Sequence, residues 1–440
     1  MKNVVILGAG RVARPMVEYL LKFPDYRVIL ASRTVSKAEK LIHHHSHGEA
    51  LPLDVQNEAA LDRLVQRADL VVSLLPYTYH EKFARLCLTH QKPFITTSYV
   101  SEPIRQMDAK ARERGVIILM EIGLDPGIDH MSAKKIIDQV HADGGKVIAF
   151  RSYCGGIPAP EANTNPLGYK FSWSPRGVLM AGRNGARFME NGKIVEIPGE
   201  DLFNHHWNIQ IDGFELEVYT NRDSLTYIDR YQIPEVQTMF RGTLRYPGWS
   251  EVMGALSQLG LLSETKVEGV NQWPYATILK RILGISEIED LKEAIARRLK
   301  RKADDPLLQK LQWLGFFKDT LFLEESTTPI DFLAHLMLER MQFKPGERDL
   351  VVLFHDFRAQ YSDRMERITS TLIEYGQPNG DTAMARTVSL PAAIAARLIL
   401  EGTFQHPGVH IPVLPDLYLP VLQELEALGI RCKETREILS

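Results

Sequence analysis

Six short apolar segments alternate with helical patterns over the first 121 residues of this 440-residue chain. Turn residues bound each segment, which is typical of a parallel β-sheet that is covered on both faces by helices. The alternation therefore predicts a doubly wound α/β fold, in which ligands bind outside the carboxyl ends of the strands. The predicted strands are 4–7, 27–31, 50–55, 70–75, 93–97 and 116–121.

A glycine-rich turn directly follows the first predicted strand, with the sequence Gly8-Ala9-Gly10-Arg11-Val12-Ala13. Gly8 would permit a tight turn, Gly10 would let the backbone approach a pyrophosphate, and Ala13 is small enough for close packing of helix on strand. The phosphates would lie at the N-terminus of a helix that starts near Arg11, where unpaired N–H groups favour negative charge. The pattern predicts dinucleotide binding by residues 8–13, with Gly8, Ala9, Gly10 and Val12 along the cofactor.

The end of the second predicted strand indicates which dinucleotide binds. An NAD enzyme would place an Asp or Glu there to bind the ribose 2′-hydroxyl, but the chain has Ser32-Arg33-Thr34. Two hydroxyls and a guanidinium are donors suited to a 2′-phosphate. We therefore predict NADP(H). In the alternative interpretation, Arg33 and Thr34 only open a surface turn and cap a helix.

Composition narrows the class of protein further. The formal net charge of -3 and the lack of an isolated basic tract argue against binding to nucleic acid or to a membrane surface. The chain contains three widely spaced cysteines, Cys87, Cys154 and Cys432, which indicates a reducing compartment without a disulfide framework. We see no signal peptide and no apolar run long enough to cross a bilayer, and so expect a cytoplasmic protein. The histidines between residues 43 and 47 are expected to form a solvated loop, and we predict no metal site.

After residue 123 the patterns change, and three domains are predicted. A helix at about 129–142 leads into segments with period-two alternation, including 214–219 and a hairpin at Asn191-Gly192. Strands at 349–355 and 367–374 would complete this second sheet, while 249–341 has helical spacing. A helix at 391–401 would return to the first domain. The boundaries are 1–123 with 389–440 for an NADP-binding Rossmann domain, 124–248 with 345–388 for a mixed-sheet α/β domain that binds substrate, and 249–344 for a small all-helical insert.

Several segments combine the composition of ligand-binding loops with polar side chains. Residue Asp54 and the segments 76–78, 97–99 and 123–125 should face one crevice, because they follow parallel strands. The runs 152–161 and 165–177 look irregular and are rich in Gly, Pro and aromatic residues, as ligand-binding loops often are. The arginines Arg222, Arg241 and Arg245 offer planar donors suited to carboxylates.

Long strings of residues in these segments resemble one enzyme family. The strings are 123–130 (GLDPGIDH), 152–161, 165–177, 231–235 (YQIPE), 241–246 (RGTLRY) and 347–349. They are similar to the saccharopine reductases, the NADP-dependent, L-glutamate-forming saccharopine dehydrogenases, over nearly the whole chain. The resemblance implies that NADPH, L-glutamate and aminoadipate semialdehyde are the partners. It implies that hydride reduces the imine of the two substrates to saccharopine, in lysine metabolism by the aminoadipate route.

The resemblance also implies a set of site residues. Along the substrate it places Ser98, Tyr99, Asp125, Cys154, Arg222, Thr243 and Arg245. Along the cofactor it places Gly8, Ala9, Gly10, Val12, Ser32, Arg33, Thr34, Asp54 and Val55, with Leu124 and Ser174 near the junction with the substrate. Asp125, Cys154 and Tyr99 are alternative general acids for the loss of the hydroxyl before reduction. Asp125 could instead hold the substrate ammonium, Cys154 could be an inert buried residue, and Tyr99 could only line the crevice.

Two other functions stay open at this stage. A carboxynorspermidine-type dehydrogenase also reduces an imine with NADPH, but its polyamine substrate would favour a pocket of carboxylates over one of arginines. A non-catalytic NADPH-binding module would keep the fold without turnover. A homodimer is compatible with the second sheet, although no self-complementary face can be identified from the sequence.

Overall fold

The computed structural model describes residues 1–439, which form two compact units. The first unit comprises Met1–Val147, Arg230–Ile233 and Phe357–Ser440, and the second comprises Ile148–Asp229 and Pro234–Asp356. Ser440, the last residue of the predicted Rossmann domain, lies outside the described residues. The three-domain boundaries given above stay a prediction.

The amino-terminal part of the first unit alternates strands and helices. Its strands are β1 (Lys2–Leu7), β2 (Tyr26–Ser32), β3 (Gly48–Pro52), β4 (Leu70–Ser73), β5 (Phe94–Thr96) and β6 (Ile117–Leu119). Its helices are α1 (Arg14–Leu21), α2 (Val35–Ile42), α3 (Glu58–Gln66), α4 (His80–His90), α5 (Glu102–Arg105), α6 (Asp108–Glu113) and α7 (Ile128–Ala142), with a 3-10 turn at Tyr77–Tyr79.

The second unit contains most of the following elements. Its strands are β7 (Lys146–Pro158), β8 (Ala186–Glu190), β9 (Lys193–Ile197), β10 (His206–Ile211), β11 (Phe214–Thr220), β12 (Thr238–Arg245), β13 (Val267–Glu268), β14 (Ser326–Thr327) and β15 (Asp349–Gln360). Its helices are α8 (Pro175–Ala181), α9 (Thr226–Tyr231), α10 (Trp249–Gln258), α11 (Tyr275–Leu283), α12 (Leu291–Arg298), α13 (Pro306–Leu314) and α14 (Pro329–Arg340), with 3-10 turns at Pro160–Ala162 and Gly199–Asn204. The last two residues of α9, Arg230 and Tyr231, belong to the first unit. The remaining elements belong to the first unit: β16 (Met365–Tyr375), α15 (Ala383–Glu401), β17 (Gly408–His410), α16 (Pro415–Ala427) and β18 (Lys433–Leu439).

The sheet of the first unit is wholly parallel, in the order β17-β6-β5-β4-β1-β2-β3. The strand order reverses between β1 and β4, which is the switch point where a doubly wound sheet binds its ligand. The prediction of an N-terminal Rossmann sheet is confirmed. Strand β17 was not predicted. It has only three residues, and its register with β6 (Gly408↔Ile117) links the carboxyl-terminal part of the chain to the first sheet.

Helix α15 differs from the prediction in length. It begins at Ala383, eight residues before the expected start at Pro391, which instead lies inside the helix. The expectation that no apolar segment could cross a bilayer is also wrong by length and composition, because α15 meets both criteria. However, 78% of the most apolar 18-residue stretch of α15 is buried inside the protein, and α15 packs against α1. This burial is typical of a core helix in a globular unit.

The second unit has a mixed sheet, as predicted. Its strands run in the order β10-β11-β12-β7-β15; β12 is parallel to β7 and antiparallel to β11. The predicted hairpin at Asn191-Gly192 is confirmed, since β8 pairs with β9 and both turn residues have positive φ. The expectation of an irregular run at 152–161 is wrong for its first part, because β7 extends to Pro158. Helices dominate the predicted insert, but β13 and β14 form a short antiparallel pair, so it is not all-helical.

The N-caps of α15 and α2 provide a test of local stability. Thr382 accepts a hydrogen bond from the Ala385 amide at 3.0 Å, whereas Thr34, at the N-cap of α2, makes no capping bond with its side chain. We expect Thr382→Ala to lower the free energy of unfolding of the first unit by about 1 kcal/mol, and Thr34→Ala to change it by less than about 0.5 kcal/mol. Urea denaturation measures both, and equal losses would contradict the assignment of the caps.

Candidate active site

The glycine-rich turn is built as the fingerprint requires. Gly8 has a φ of +104° and its amide donates to the Ala31 carbonyl at 2.8 Å, so the turn holds β1 against β2. Ala13 is fully buried, which allows the close packing predicted for it. No atom lies within 4 Å of the position that a Cβ on Gly10 would occupy, so open space faces the backbone there. One detail is corrected: α1 begins at Arg14, not near Arg11, because residues 11–12 form a turn.

The residues predicted to recognise the 2′-phosphate lie at the carboxyl end of β2. Ser32 is the last residue of the strand and is buried, while Arg33 and Thr34 are exposed. Arg33 forms no ion pair or hydrogen bond with any residue that the structure describes. Since the Thr34 hydroxyl makes no capping bond either, a hydroxyl and a guanidinium are available as donors at this edge. The segment therefore fits a 2′-phosphate better than the alternative of a simple helix cap.

Asp54 and Val55 follow the neighbouring strand β3. The Asp54 carboxylate accepts a hydrogen bond from the Gln56 amide at 2.9 Å, and the Val55 carbonyl accepts one from the Lys82 ammonium at 3.0 Å. Both interactions fix the loop beside the end of β2, because β2 and β3 are parallel neighbours. The structure thus places Asp54 and Val55 at the same sheet edge as Ser32–Thr34.

Two of the three predicted general acids lie in contact in the first unit. The Tyr99 hydroxyl donates to Oδ1 of Asp125 at 3.0 Å. Tyr99 and the preceding Ser98 follow β5, and Asp125 lies in the loop between β6 and α7. Because β5 and β6 are parallel neighbours, both groups lie at the carboxyl edge that also carries the glycine-rich turn. The pair can pass a proton between a phenol and a carboxylate.

The loop that carries Asp125 is unusually tight. Gly123 donates to the Pro126 carbonyl at 2.9 Å, and Ile128 donates to the Gly123 carbonyl at 2.8 Å. Gly127 has a φ of +147°, and a Cβ there would lie 2.0 Å from the Gly123 oxygen. Only glycine can therefore occupy this position. Leu124 is buried within the loop. The closed backbone fixes the position of Asp125.

Burial keeps His80, near the end of β5, uncharged. His80 opens α4, is buried, and its imidazole packs within hydrogen-bond distance of the Thr96 hydroxyl at the end of β5. Burial lowers the pKa of His80 to about 4, so the ring is neutral at pH 7. The neutral ring can donate from Nε2 to the Leu75 carbonyl at 3.0 Å. His80 thereby fixes the segment after β4 and adds no charge to the edge.

Three buried polar residues in the first unit were missed as site residues. Glu121, His130 and Tyr231 are joined by hydrogen bonds and lie within or beside the sequence strings that carry the family resemblance. Polar residues that stand within such strings are a signal, but sequence alone did not connect them, because His130 and Tyr231 are 101 positions apart. The signal becomes clear only when burial is known.

In the second unit, two predicted substrate residues are direct neighbours across strands. Thr243 of β12 pairs with Cys154 of β7 in parallel register, and Cys154 is buried. Cys154 therefore lies in a strand and not in an irregular loop. Arg222 is exposed, has a φ of +52°, and follows the end of β11. Since Thr220 pairs with Gly242 and Glu217 with Arg245, Arg222 and Arg245 lie toward opposite ends of β12.

Arg245 is a buried cation that forms no ion pair with a carboxylate of residues 1–439. Arg245 is only 5% exposed. Its guanidinium lies 4.8 Å from the centroid of the Tyr169 ring and 5.6 Å from the centroid of the Trp249 ring. Nη1 donates to the Leu244 carbonyl at 2.7 Å, but the buried Nε has no acceptor among the described residues. A buried charge is costly unless it is paired. A ligand carboxylate would supply the missing acceptor.

Other features of the second unit are less informative about catalysis. Ser174, predicted near the cofactor, is the N-cap of α8 and accepts from the Gly177 amide at 3.2 Å; its role toward a cofactor stays a prediction. A cleft of about 900 Å³ is lined by α10 and β10 residues such as Glu251 and His206, and by none of the predicted site residues. Within residues 1–439, no cluster of His, Cys, Asp or Glu could hold a metal ion.

Comparison with known proteins gives full-length matches. Residues 4–119 match the family model described as saccharopine dehydrogenase NADP binding domain, and residues 123–430 match the saccharopine dehydrogenase C-terminal domain. Saccharopine dehydrogenase [NADP(+), L-glutamate-forming] of Schizosaccharomyces pombe is 42% identical over 99% of both chains, and that of Saccharomyces cerevisiae is 40% identical over 98% of this chain and 99% of its own. The solved structure of apo saccharopine dehydrogenase (L-Glu forming) from Saccharomyces cerevisiae has a TM-score of 0.87 and 39% identity, covering 99% of this chain and 100% of that one.

The exposed Arg33 provides a test of cofactor selection. We expect Arg33→Ala to weaken NADPH binding roughly 10- to 100-fold, because one charge-assisted hydrogen bond contributes about 1.5–3 kcal/mol, and to leave NADH binding nearly unchanged. Fluorescence titration with each dinucleotide measures this. Arg27→Ala is the matched control, since Arg27 is an exposed arginine at the opposite end of β2 that pairs with Glu49. An equal loss of NADH affinity in Arg33→Ala would contradict the role.

Proposed function

Because the chain belongs to the saccharopine dehydrogenase family, we propose that it catalyses the reversible NADPH-dependent condensation of L-glutamate with aminoadipate semialdehyde to give saccharopine. The observation that carries this proposal is the Tyr99–Asp125 hydrogen bond at the sheet edge that also bears the dinucleotide fingerprint. It supports an acid–base role for these two residues in a chain whose relatives carry that activity in their names. The proposed reaction belongs to lysine metabolism.

The reaction makes definite demands on this pair. The glutamate amine adds to the aldehyde carbon, the resulting hydroxyl leaves as water, and the C=N bond of the imine is then reduced to a secondary amine. Loss of the hydroxyl needs a proton donor, and attack by the amine needs an acceptor for its proton. Bound NADPH supplies the hydride for the reduction, and residues 8–12 with Ser32, Arg33 and Thr34 would hold it. Because Tyr99 donates to Asp125, the phenol is the donor and the carboxylate is the acceptor of this pair.

The charges in the second unit support a substrate with several carboxylates. Saccharopine carries three carboxylates, and the Nε of the buried Arg245 has no acceptor in the part of the chain that the structure describes. A polyamine would bring further positive charge to this guanidinium, which is unfavourable at low dielectric. Arg245 therefore favours the saccharopine reaction over that of a carboxynorspermidine-type dehydrogenase. Cys154 and Thr243 provide a thiol and a hydroxyl beside each other on the same sheet.

The proposal also covers the compartment, the oligomeric state and the partners of the protein. All three cysteines are free, and Cys87 and Cys154 are buried, which supports a reducing compartment such as the cytoplasm. A homodimer is supported by the outer strands of the second unit, where Trp207 is 41% exposed and Ile194 is 57% exposed. Light scattering of the purified chain would measure its mass in solution. We propose small molecules as its substrates, without a nucleic-acid or membrane partner.

The direct test is the formation of NADPH from NADP+ with saccharopine, followed by its absorbance. We expect turnover with NADP+ and little with NAD+, and none with carboxynorspermidine. Turnover only with the polyamine would keep the fold and replace the substrate. NADPH binding without turnover of either compound would favour the non-catalytic binding module.

Substitution of the three proposed acids distinguishes their roles. If Asp125 transfers a proton, Asp125→Asn should lower kcat by about 10²- to 10⁴-fold and shift the pH profile, because general acid–base catalysis contributes a factor of this size. If Asp125 only binds the substrate ammonium, KM should rise and the pH profile should stay unchanged. Tyr99→Phe and Cys154→Ser are measured in the same way, with Cys432→Ser as the control thiol. Unchanged rates and profiles in all three variants would exclude these residues as the acid.

A further inference from the structure

Glu121, His130 and Tyr231 form a hydrogen-bonded chain that is sealed inside the first unit. Oε2 of Glu121 lies 2.9 Å from Nε2 of His130, and Nδ1 of His130 lies 2.6 Å from the Tyr231 hydroxyl. His130 is fully buried, and Glu121 and Tyr231 are nearly so. Buried polar groups cost stability unless they are paired, so a chain of this kind specifies one arrangement of the backbone segments that carry it.

The central member of the chain uses both of its ring nitrogens. Nε2 of His130 faces the Glu121 carboxylate and Nδ1 faces the Tyr231 hydroxyl, so each ring nitrogen has a hydrogen-bond partner. Each member of the chain fixes the orientation of the next, and the chain ends on the carboxylate of Glu121.

Glu121 in turn holds Tyr99 from both sides. Its amide donates to the carbonyl of Ser98 at 3.0 Å, and its Oε1 accepts from the amide of Val100 at 2.9 Å. Ser98 and Val100 are the residues on either side of Tyr99. Glu121 itself has a φ of +60°, a conformation that a non-glycine residue rarely adopts and that persists only where the surroundings fix it. The backbone of Tyr99 is therefore attached to the buried chain.

The hydrogen-bonded chain of Glu121, His130 and Tyr231 is also connected to the loop that carries Asp125. His130 is in the first turn of α7, which follows that loop directly. The Asp129 carboxylate accepts from the amides of Gly127 and His130, at 2.5 and 2.8 Å, and so joins the loop to the residue that contacts Glu121. Both partners of the Tyr99–Asp125 hydrogen bond are thus connected to one buried anchor within a few residues.

We propose that Glu121, His130 and Tyr231 are positioning residues that hold the Tyr99 hydroxyl against the Asp125 carboxylate. They act through these two groups and do not touch the reacting atoms. The inference rests on the proposed function, in which the Tyr99–Asp125 pair serves proton transfer. A displacement of about 1 Å at such a pair can cost about 10²-fold in rate. Loss of the anchor should accordingly lower kcat more than it raises KM.

The test is a double-mutant cycle between Tyr231→Phe and Tyr99→Phe, with kcat for saccharopine oxidation as the readout. Tyr231→Phe alone should lower kcat roughly 10-fold or more and leave KM for saccharopine within about twofold. In protein that already carries Tyr99→Phe, the same substitution should have little further effect, because the group it positions is gone. Tyr418→Phe is the matched control: Tyr418 is also buried, and its hydroxyl donates to Asp138 at 2.6 Å on another face of α7. It should leave kcat unchanged.

A conservative substitution adds a second readout. Glu121→Gln keeps an oxygen that can accept from the Val100 amide, whereas Glu121→Ala does not, so Gln should restore most of the kcat that Ala loses. This rescue separates positioning from a general loss of folding, which thermal unfolding of each variant measures in parallel. Equal rates for Gln and Ala would overturn the role of Glu121.

The remaining outcomes separate this inference from the proposed function. If the unmodified protein turns over saccharopine but the losses from Tyr231→Phe and Tyr99→Phe multiply, the positioning role is overturned and the function stands. If Tyr418→Phe lowers kcat as much as Tyr231→Phe, the positioning role is likewise overturned. If the unmodified protein does not turn over saccharopine, the proposed function is overturned, and this inference with it.

Discussion

The parallel alignment of the first sheet brings residues that are far apart in sequence to one edge. Parallel strands end on the same side, so the loops after β1, β2, β3, β5 and β6 all lie there. The fingerprint glycines, the donors of Ser32–Thr34, and the Tyr99–Asp125 pair depend on this single arrangement. A strand added in antiparallel orientation would carry its following loop to the opposite edge. The chemistry of the first unit is thus a consequence of strand direction before it is a consequence of any one side chain.

Precision within that edge comes from close backbone contacts and buried hydrogen bonds. The loop at 123–127 closes so tightly that a Cβ at Gly127 would meet the backbone of Gly123 at 2.0 Å. Beside it, Glu121 adopts a left-handed conformation that its buried partners must maintain. Strain of this kind is usually found where a group must be held in a particular orientation. Here Glu121 contacts the backbone on either side of Tyr99, at Ser98 and Val100.

The first sheet could be predicted because its signals are local in sequence. The elements that were missed depend on contacts between residues that are far apart in sequence. The apolar runs and the turn at Gly8 can be predicted from residues that are adjacent in sequence. Strand β17 has only three residues and is recognisable as a strand only by its pairing with β6. Gly155 and Gly156 made the end of β7 look irregular. In the structure a Cβ at Gly155 would lie 2.4 Å from the Leu244 carbonyl, so glycine marks close strand packing there and not a loop. The first turns of α15 were missed because a proline usually marks the start of a helix, whereas Pro391 lies inside this one.

The predicted site residues divide by chemistry between the two units. The first unit carries the hydrogen-bonded Tyr99–Asp125 pair and the segment that we predict to bind a phosphate, and burial keeps its His80 neutral at pH 7. The second unit contains Arg245, a cation whose burial against Tyr169 and Trp249 is favourable for the guanidinium face but leaves its Nε without an acceptor from residues 1–439. A protein gains nothing in stability from such an incomplete arrangement. Its presence is explained if a ligand carboxylate completes it, because binding then recovers the cost that folding leaves.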